Sequence, residues 1–322
     1  MKAIALFSGG LDSIIAVKLV QRQGIDVQGV TYETPFFNAR KAQIAAAKID
    51  LPLRVLDITE DHLIMLQAPK YGYGKNFNPC IDCHAMMLRK TGNLLCEWNA
   101  DFIITGEVLG QRPMSQTRQS LYVVAKYSGY PDLIVRPLSA KLLPITRAER
   151  EGMIDREKLL DIQGRSRRRQ MEAASAFGIS YYSTPAGGCL LTDPMFSKRL
   201  KELFEHGDFE IPSIHLLKTG RHFRVGPQTK VIVGRNLQDN NLIDKLTLDR
   251  DLVIRTADYP GPTTLVPGGC DEPEMYLAAS LSVLYSDAPK GEQVKLTCTR
   301  GENIWTFETA AADKEQAAQW II

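Results

Sequence analysis

Phe7-Ser8-Gly9-Gly10-Leu11-Asp12-Ser13-Ile14 is the stretch that decides how this chain reads. It follows the apolar run Ala3-Ile4-Ala5-Leu6-Phe7, a buried strand by composition, and it runs into Leu11, Ile14, Ile15 and Leu19 at helical spacing. A strand, a glycine turn and a helix N-terminus together form an anion cradle. The glycines let backbone N–H groups approach a ligand, and the helix dipole favours negative charge there. Ser8 and Ser13 add hydroxyl donors. The loop has no lysine, so it is not a Walker-type phosphate loop. Asp12 would repel a phosphate unless it holds a magnesium ion or orients the chain, so the expectation is a pyrophosphate site assisted by Mg²⁺. The competing reading is an ordinary strand-to-helix turn, in which Gly-Gly and Ser are common. Its place at the first strand–helix turn of an alternating pattern favours the site.

Outward from the loop, strands are expected at 27–32, 53–58, 102–105 and 133–135, and helices at 39–48, 81–98 and 115–127, followed by a helix-rich stretch at 147–177. This alternation predicts an α/β domain, a parallel sheet flanked by helices with its ligand at the carboxyl ends of the strands. Beyond about His206 the texture changes to short β-rich runs at 230–233, 252–255, 294–298 and 304–308, with one helical stretch at 274–285. That predicts a smaller α+β C-terminal domain, with domains at 1–206 and 207–322.

The 322 residues, 44% hydrophobic and 24% charged, suit two soluble domains with proper cores. No apolar run is long enough to span a bilayer, and no signal-peptide pattern opens the chain. A cytoplasmic protein with no membrane partner is expected. Residues 197–322 carry 15 Lys+Arg against 18 Asp+Glu, a balance of −3, and residues 1–196 carry +5. A phosphate-rich partner should be drawn chiefly to the N-terminal part. Arg165, Arg167, Arg168 and Arg169 form the densest basic cluster, which reads first as a solvated helix face and second as a contact to an RNA backbone.

Six cysteines in a reducing compartment point to metal binding or chemistry more than to disulfides. Asn78-Pro79-Cys80-Ile81-Asp82-Cys83-His84 puts two thiols one helical turn apart, and Cys189 in Pro185-Ala186-Gly187-Gly188-Cys189-Leu190 is a third, exposed-looking candidate. Zinc, for which His84 is the nearest but poorly spaced fourth ligand, a redox pair, and an iron–sulfur cluster with one open iron all fit this composition. Cys96, Cys270 and Cys298 read as isolated small hydrophobes.

Strand–Ser8-Gly9-Gly10-Leu11-Asp12-Ser13–helix resembles the signature loop of the ATP-pyrophosphatase (PP-loop) superfamily, whose fold is that of the adenine nucleotide alpha hydrolases. Thr105-Gly106-Glu107-Val108-Leu109-Gly110-Gln111-Arg112-Pro113-Met114-Ser115-Gln116-Thr117 is similar to the second nucleotide motif of the tRNA 4-thiouridine synthetases. Thr34-Pro35-Phe36-Phe37-Asn38-Ala39-Arg40 and Arg136-Pro137-Leu138 are similar to further segments of that family, and the Cys80–Cys83 run resembles the Cys motif of the tRNA 2-thiouridylases. Several motifs in order over about residues 1–195 make the resemblance specific. Two departures stand against it: the loop starts the chain, where those synthetases have an RNA-binding region ahead of it, and no C-terminal sulfurtransferase domain follows. Val231-Ile232-Val233-Gly234-Arg235-Asn236-Leu237-Gln238-Asp239-Asn240-Asn241-Leu242 instead resembles the core motif of the NFACT-R RNA-binding domain. Arg221, Arg224 and Arg235 would supply its contacts.

The resemblance implies ATP bound by Ser8, Gly9, Gly10, Asp12 and Ser13, bordered by Thr105 and Gly106 and lined by Gln111, Ser115 and Gln116. It implies a [4Fe–4S] cluster on Cys80, Cys83 and Cys189, with zinc as the alternative, and Asp12 and Cys189 as catalytic residues. The expected reaction is ATP-dependent tRNA uridine thiolation, by adenylation of the base carbonyl oxygen followed by sulfur transfer. A sulfur donor, free sulfide or a cysteine desulfurase, is then implied as a partner besides tRNA, and a homodimer stays open. The alternatives are a PP-loop enzyme that transfers an amine to an adenylated substrate, with structural cysteines, and a non-enzymatic RNA- or ribosome-associated binding protein.

Overall fold

The strand β1 (Lys2–Leu6) is apolar on both faces because it is the middle of a parallel sheet. Ala3 and Ala5 join one apolar cluster and Ile4 the other, the two-residue alternation of a pleated strand. In the computed structural model, which describes residues 1–182 and 188–322, the first unit continues through α1 (Leu11–Gln21), β2 (Asp26–Glu33), α2 (Arg40–Lys48), β3 (Leu53–Asp57), α3 (Thr59–Gln67) and α4 (Cys80–Glu97). It closes with β4 (Phe102–Thr105), α5 (Arg118–Ser128), β5 (Ile134–Val135), the short α6 (Arg147–Arg150) and α7 (Arg168–Ala176). The sheet order is β3-β2-β1-β4-β5, all parallel. Ala42, Ala45 and Ala46 of α2 cover one face, and Ala85 and Leu88 of α4 with Val124 of α5 cover the other.

The order reverses between β2 and β4 around β1, and that is where parallel sheets open a crevice at their carboxyl ends. Leu6 is in register with Thr105, so the loop after β1 and the turn after β4 leave the sheet side by side.

Several expected elements shift for local reasons. The helix expected from 115 starts at Arg118, because the Thr117 hydroxyl caps it by accepting from Ser120 N at 3.0 Å. The 147–177 stretch holds α6, a short 3-10 turn (Arg156–Lys158) and α7, interrupted at Gly152 and Gly164, both at positive φ. Helix α3, with Asp57 Oδ1 accepting from Thr59 N at 2.7 Å at its start, was not foreseen.

The two compact units are Met1–Thr192 and Asp193–Ile322, so the boundary lies ahead of the expected 206. The reason is α8 (Pro194–Glu205): its Glu202 ion-pairs with Lys230 at 2.6 Å and with Arg224, and its Arg199 donates to Leu217 O at 3.0 Å, all within the second unit. That unit adds α9 (Ile211–Leu216), β6 (Arg221–Arg224), β7 (Lys230–Val233), α10 (Leu237–Leu246), β8 (Leu252–Thr256), β9 (Thr264–Val266), α11 (Glu272–Leu284), β10 (Val294–Arg300), β11 (Asn303–Thr309) and α12 (Lys314–Trp320). Its six-stranded antiparallel sheet runs β11-β10-β8-β9-β7-β6. Among the described residues no helix is long and apolar enough to cross a membrane.

Candidate functional site

Gly9 has φ +71°, and a Cβ there would lie 2.5 Å from Lys41 O and 2.7 Å from Ala42 Cα. Both facts demand glycine: the left-handed backbone and the close approach of α2. Gly10 is the N-cap of α1 at φ −80°, where a Cβ would meet only Ser8 Oγ at 3.5 Å. Ser13 Oγ donates to Gly10 O at 2.8 Å and locks the turn onto the first turn of α1. Across the crevice, a Cβ on Gly106 would lie 2.5 Å from Ser13 N. Thr105 and Gly106 therefore abut the N-terminus of α1.

Asp12 sits on the first turn of α1, partly buried, and burial raises its carboxyl above the usual range against the pull of Gln111, Arg167 and Arg112. Gln111 Nε2 donates to Asp12 Oδ2 at 3.1 Å, whereas Asp12 Oδ1 is buried without a partner among the described residues. The fully buried Gln170 stands beside it, close enough to help lower its pKa, yet neither of its amide atoms makes a hydrogen bond of normal geometry to a described group, and the Gln116 amide oxygen is buried and orphaned as well. Gln116 O accepts from Gly110 N at 2.7 Å and so closes the loop that carries Gln111. Ser115 is buried beside it in sequence. A buried polar atom left unpaired costs about 1–3 kcal/mol, so three such side chains in and around one crevice mark a place built for a polar ligand.

Sequence reasoning missed Glu107, His84 and Arg136 as a unit. Glu107 Oε2 accepts from Arg136 Nε at 2.9 Å, Oε1 pairs with His84 Nδ1 at 3.1 Å, and Thr105 Oγ1 donates to Oε2 at 3.2 Å. Burial alone would raise the Glu107 carboxyl, but Arg136 and His84 outweigh it and hold it at about 2. His84, weighed as a zinc ligand, is thus tied by Nδ1 to the turn after β4. Arg167 and Arg112 are near enough to Asp12 to lower its pKa, which draws one member of the basic cluster to the crevice. Arg168 and Arg169 pair instead with Glu172 at 3.2 Å and Asp161 at 2.5 Å.

Cys80 and Cys83 lie on the first turn of α4. Asp82 accepts from Lys70 N and Tyr71 N at 3.0 Å each, and Asn78 Nδ2 contacts Cys80 Sγ at 3.1 Å, so the approach to the helix is fixed by its own side chains. Asn76 Nδ2 donates to Thr192 O at 2.7 Å, and Leu190 N donates to Phe36 O at 3.0 Å; these bonds bring the segment after Cys189 to the cysteine turn. Burial pushes the Cys189 thiol up to about 11, with Cys80 adding to the rise, and burial with Cys189 and Cys80 pushes Cys83 well up. The three thiols feel one another, and Cys189 is half-buried rather than exposed. The Pro185-Ala186-Gly187 part of its turn lies outside the described residues. Among the described residues no group of three or more His, Cys, Asp or Glu is gathered into a metal shell. The donor chemistry, three soft sulfurs on one side of the unit, still fits a thiophilic metal or cluster. His62, fully buried between Phe36 and Phe37, was missed: its Nε2 lies 3.5 Å from Cys83 Sγ, and burial lowers it to about 4.

Of the remaining cysteines, Cys298 is buried as expected, but Cys96 is exposed and Cys270 neighbours Cys298. In the second unit Arg235 is bound to Asp239 at 2.6 Å, Arg224 to Glu202, and Arg221 lies 4.3 Å over the Tyr285 ring. All three expected contact residues are therefore already engaged. The Val231–Leu242 motif is largely architectural: Asn236 caps α10, and Asn240 Oδ1 accepts from Thr263 N at 3.0 Å.

Residues 1–142 match the family model of the thiamine biosynthesis protein (ThiI), and residues 220–321 match that of the NFACT protein RNA binding domain. Among solved structures, a 4-thiouridine synthetase–RNA complex with bound ATP is 20% identical over 67% of this chain and 52% of that one, with a TM-score of 0.38. A predicted tRNA methyltransferase subunit from Methanocaldococcus jannaschii is 12% identical over 55% of this chain and 76% of that one (TM-score 0.35). The C-terminal part of a fibronectin/fibrinogen-binding protein from Streptococcus suis is 16% identical over 32% of this chain and 50% of that one (TM-score 0.30). The chain thus spans about half the length of two of these structures. Residues 1–142, which hold the parallel sheet, are thus similar to the ThiI family, and residues 220–321, which hold the antiparallel sheet, are similar to the NFACT RNA-binding family.

Proposed function

We propose that the protein is an ATP-dependent enzyme that thiolates a uridine of tRNA. The observation that carries the reading is the orphaned Asp12 Oδ1 in a glycine cradle at the switch point of a parallel sheet. The matches of residues 1–142 and 220–321 to the two families support it. ATP would lie with its β and γ phosphates on the amides of Gly9, Gly10 and the first turn of α1, with Ser8 and Ser13 as further donors. Asp12 would hold a magnesium ion, which when bound neutralises the charge of the leaving pyrophosphate. Thr105 and Gly106 would border the nucleotide, and Gln111, Ser115 and Gln116 would line it. Arg112 and Arg167, near enough to Asp12 to lower its pKa, would offset phosphate charge.

The uridine carbonyl oxygen attacks the α phosphorus, the bond to the β-phosphate oxygen breaks, and pyrophosphate leaves with that electron pair. Positioning and charge neutralisation supply the rate. A sulfur nucleophile then adds to the adenylated ring carbon and AMP departs. Cys80, Cys83 and Cys189 would hold a [4Fe–4S] cluster, which when bound supplies an open iron to carry sulfide. In the zinc alternative the same thiols bind the metal, and Cys189 is the catalytic sulfur carrier only where no metal holds it.

Two measurements test this. Anaerobically purified protein should contain four irons and four sulfides on the tetranuclear stoichiometry, lost in Cys189→Ser, and zinc without iron would contradict the cluster. tRNA from cells lacking the gene should lack one thionucleoside, and an unchanged thionucleoside profile would contradict the reaction.

A further inference from the structure

The second unit holds a cavity of about 410 Å³ that the nucleotide chemistry does not use. Trp305 and Phe307, two residues apart on β11, wall it on the same face of the strand, and Tyr276 of α11 meets Phe307 edge-on at 4.8 Å. Asp271 and Glu272, at the start of α11, put two carboxylates on its rim. Arg300 completes it: Nε donates to Arg250 O at 2.9 Å and Nη2 to Gly268 O at 3.0 Å, while a Cβ on Gly269 would lie 2.7 Å from Cζ. The guanidinium plane is thus held before any ligand arrives, with Nη1 left over among the described residues.

These groups specify a ligand. The volume suits a small planar molecule and lies in the range of formed ligand pockets. Three aromatic rings offer stacking and edge contacts to a flat π system. Paired carboxylates turn away a phosphate and accept N–H donors, while the fixed arginine donates to ring acceptors. A guanine base has both edges: N1–H and the 2-amino group for a carboxylate, O6 and N7 for a guanidinium. We propose that this cavity captures an unstacked guanine of RNA, a base pocket that adds selectivity to a unit whose net charge of −3 over residues 197–322 gives little backbone affinity. The inference rests on the reading that the chain acts on RNA.

The full-length protein would be titrated with GMP, AMP, CMP and UMP while tryptophan fluorescence is followed, with Trp305→Phe as the control for Trp98 and Trp320. A single-stranded guanosine-containing oligonucleotide would then be bound by the wild type, Tyr276→Ala and Glu272→Gln. The expected results are quenching by GMP alone, absent in Trp305→Phe; about tenfold weaker oligonucleotide binding in Tyr276→Ala, with the salt slope unchanged; and loss of preference over an adenosine oligonucleotide in Glu272→Gln. Oligonucleotide binding equal in all three proteins, without GMP quenching, overturns the pocket and leaves the RNA reading standing. GMP quenching without binding of any RNA leaves a guanine-nucleotide site but overturns RNA as its ligand together with that reading, and neither effect overturns both. Should Tyr276→Ala not fold, the wild-type titration and Glu272→Gln still decide the matter.

Discussion

Gly9 is the residue at which the nucleotide site can be broken most simply. Its φ of +71° and the 2.5 Å approach of Lys41 O leave no room for a side chain. Gly9→Ala should lower stability by about 2 kcal/mol or more and abolish ATP binding, whereas Gly10→Ala should keep the fold. Thermal unfolding with and without ATP checks the pair. Glu107 makes a second residue-scale prediction. Its carboxyl, held at about 2 against an ordinary 4.5, contributes stability that is complete above the ordinary value and is lost as pH falls from 4.5 towards 2. Glu107→Gln should cost about 3–5 kcal/mol at neutral pH by stranding Arg136, and should flatten that acid limb in a melting series. At this scale the sequence showed the loop but not the network. Gly9 ahead of Asp12 is legible because only glycine meets such a turn, while Glu107, His84 and Arg136 come together through strand register and helix packing that no spacing reveals.

Elements were legible where both faces of a strand or helix are apolar. β1, β2 and β4 were foreseen within a residue or two for this reason, and α4 by the apolar stripe at helical spacing that it buries. α3 and α10 were not: each presents a mostly polar surface, and α10 lies inside a Gly/Asn-rich motif that reads as a turn until Asn236 is seen to cap it. The boundary was misplaced because α8, amphipathic like its predecessors, shows its allegiance only through Glu202. Glu202 serves both Arg224 and the buried Lys230, so Glu202→Ala should destabilise the second unit by about 3 kcal/mol. A fragment of residues 193–322 should unfold cooperatively at higher denaturant than one of residues 207–322, and equal midpoints would contradict the assignment of α8.

Across the whole molecule, a unit similar to the ThiI family and a unit similar to the NFACT RNA-binding family share one chain, and the chemistry proposed for the first needs a substrate of the kind proposed for the second. The cysteines were legible as a set, but not their burial, and burial changes the chemistry: a Cys189 thiol at about 11 is neutral near pH 7 and a poor nucleophile until a cation or a persulfide sulfur changes it. The central claim is that the loop after β1 grips the pyrophosphate of an ATP cleaved at its α phosphorus. Exchange of radiolabelled pyrophosphate into ATP, with magnesium and bulk tRNA, tests it most directly. The account predicts RNA-dependent exchange by the wild type and its loss by at least a hundredfold, roughly the effect of removing one preorganised charge-stabilising group, in Asp12→Asn. Release of ADP and phosphate instead, or exchange undiminished in Asp12→Asn, would contradict it.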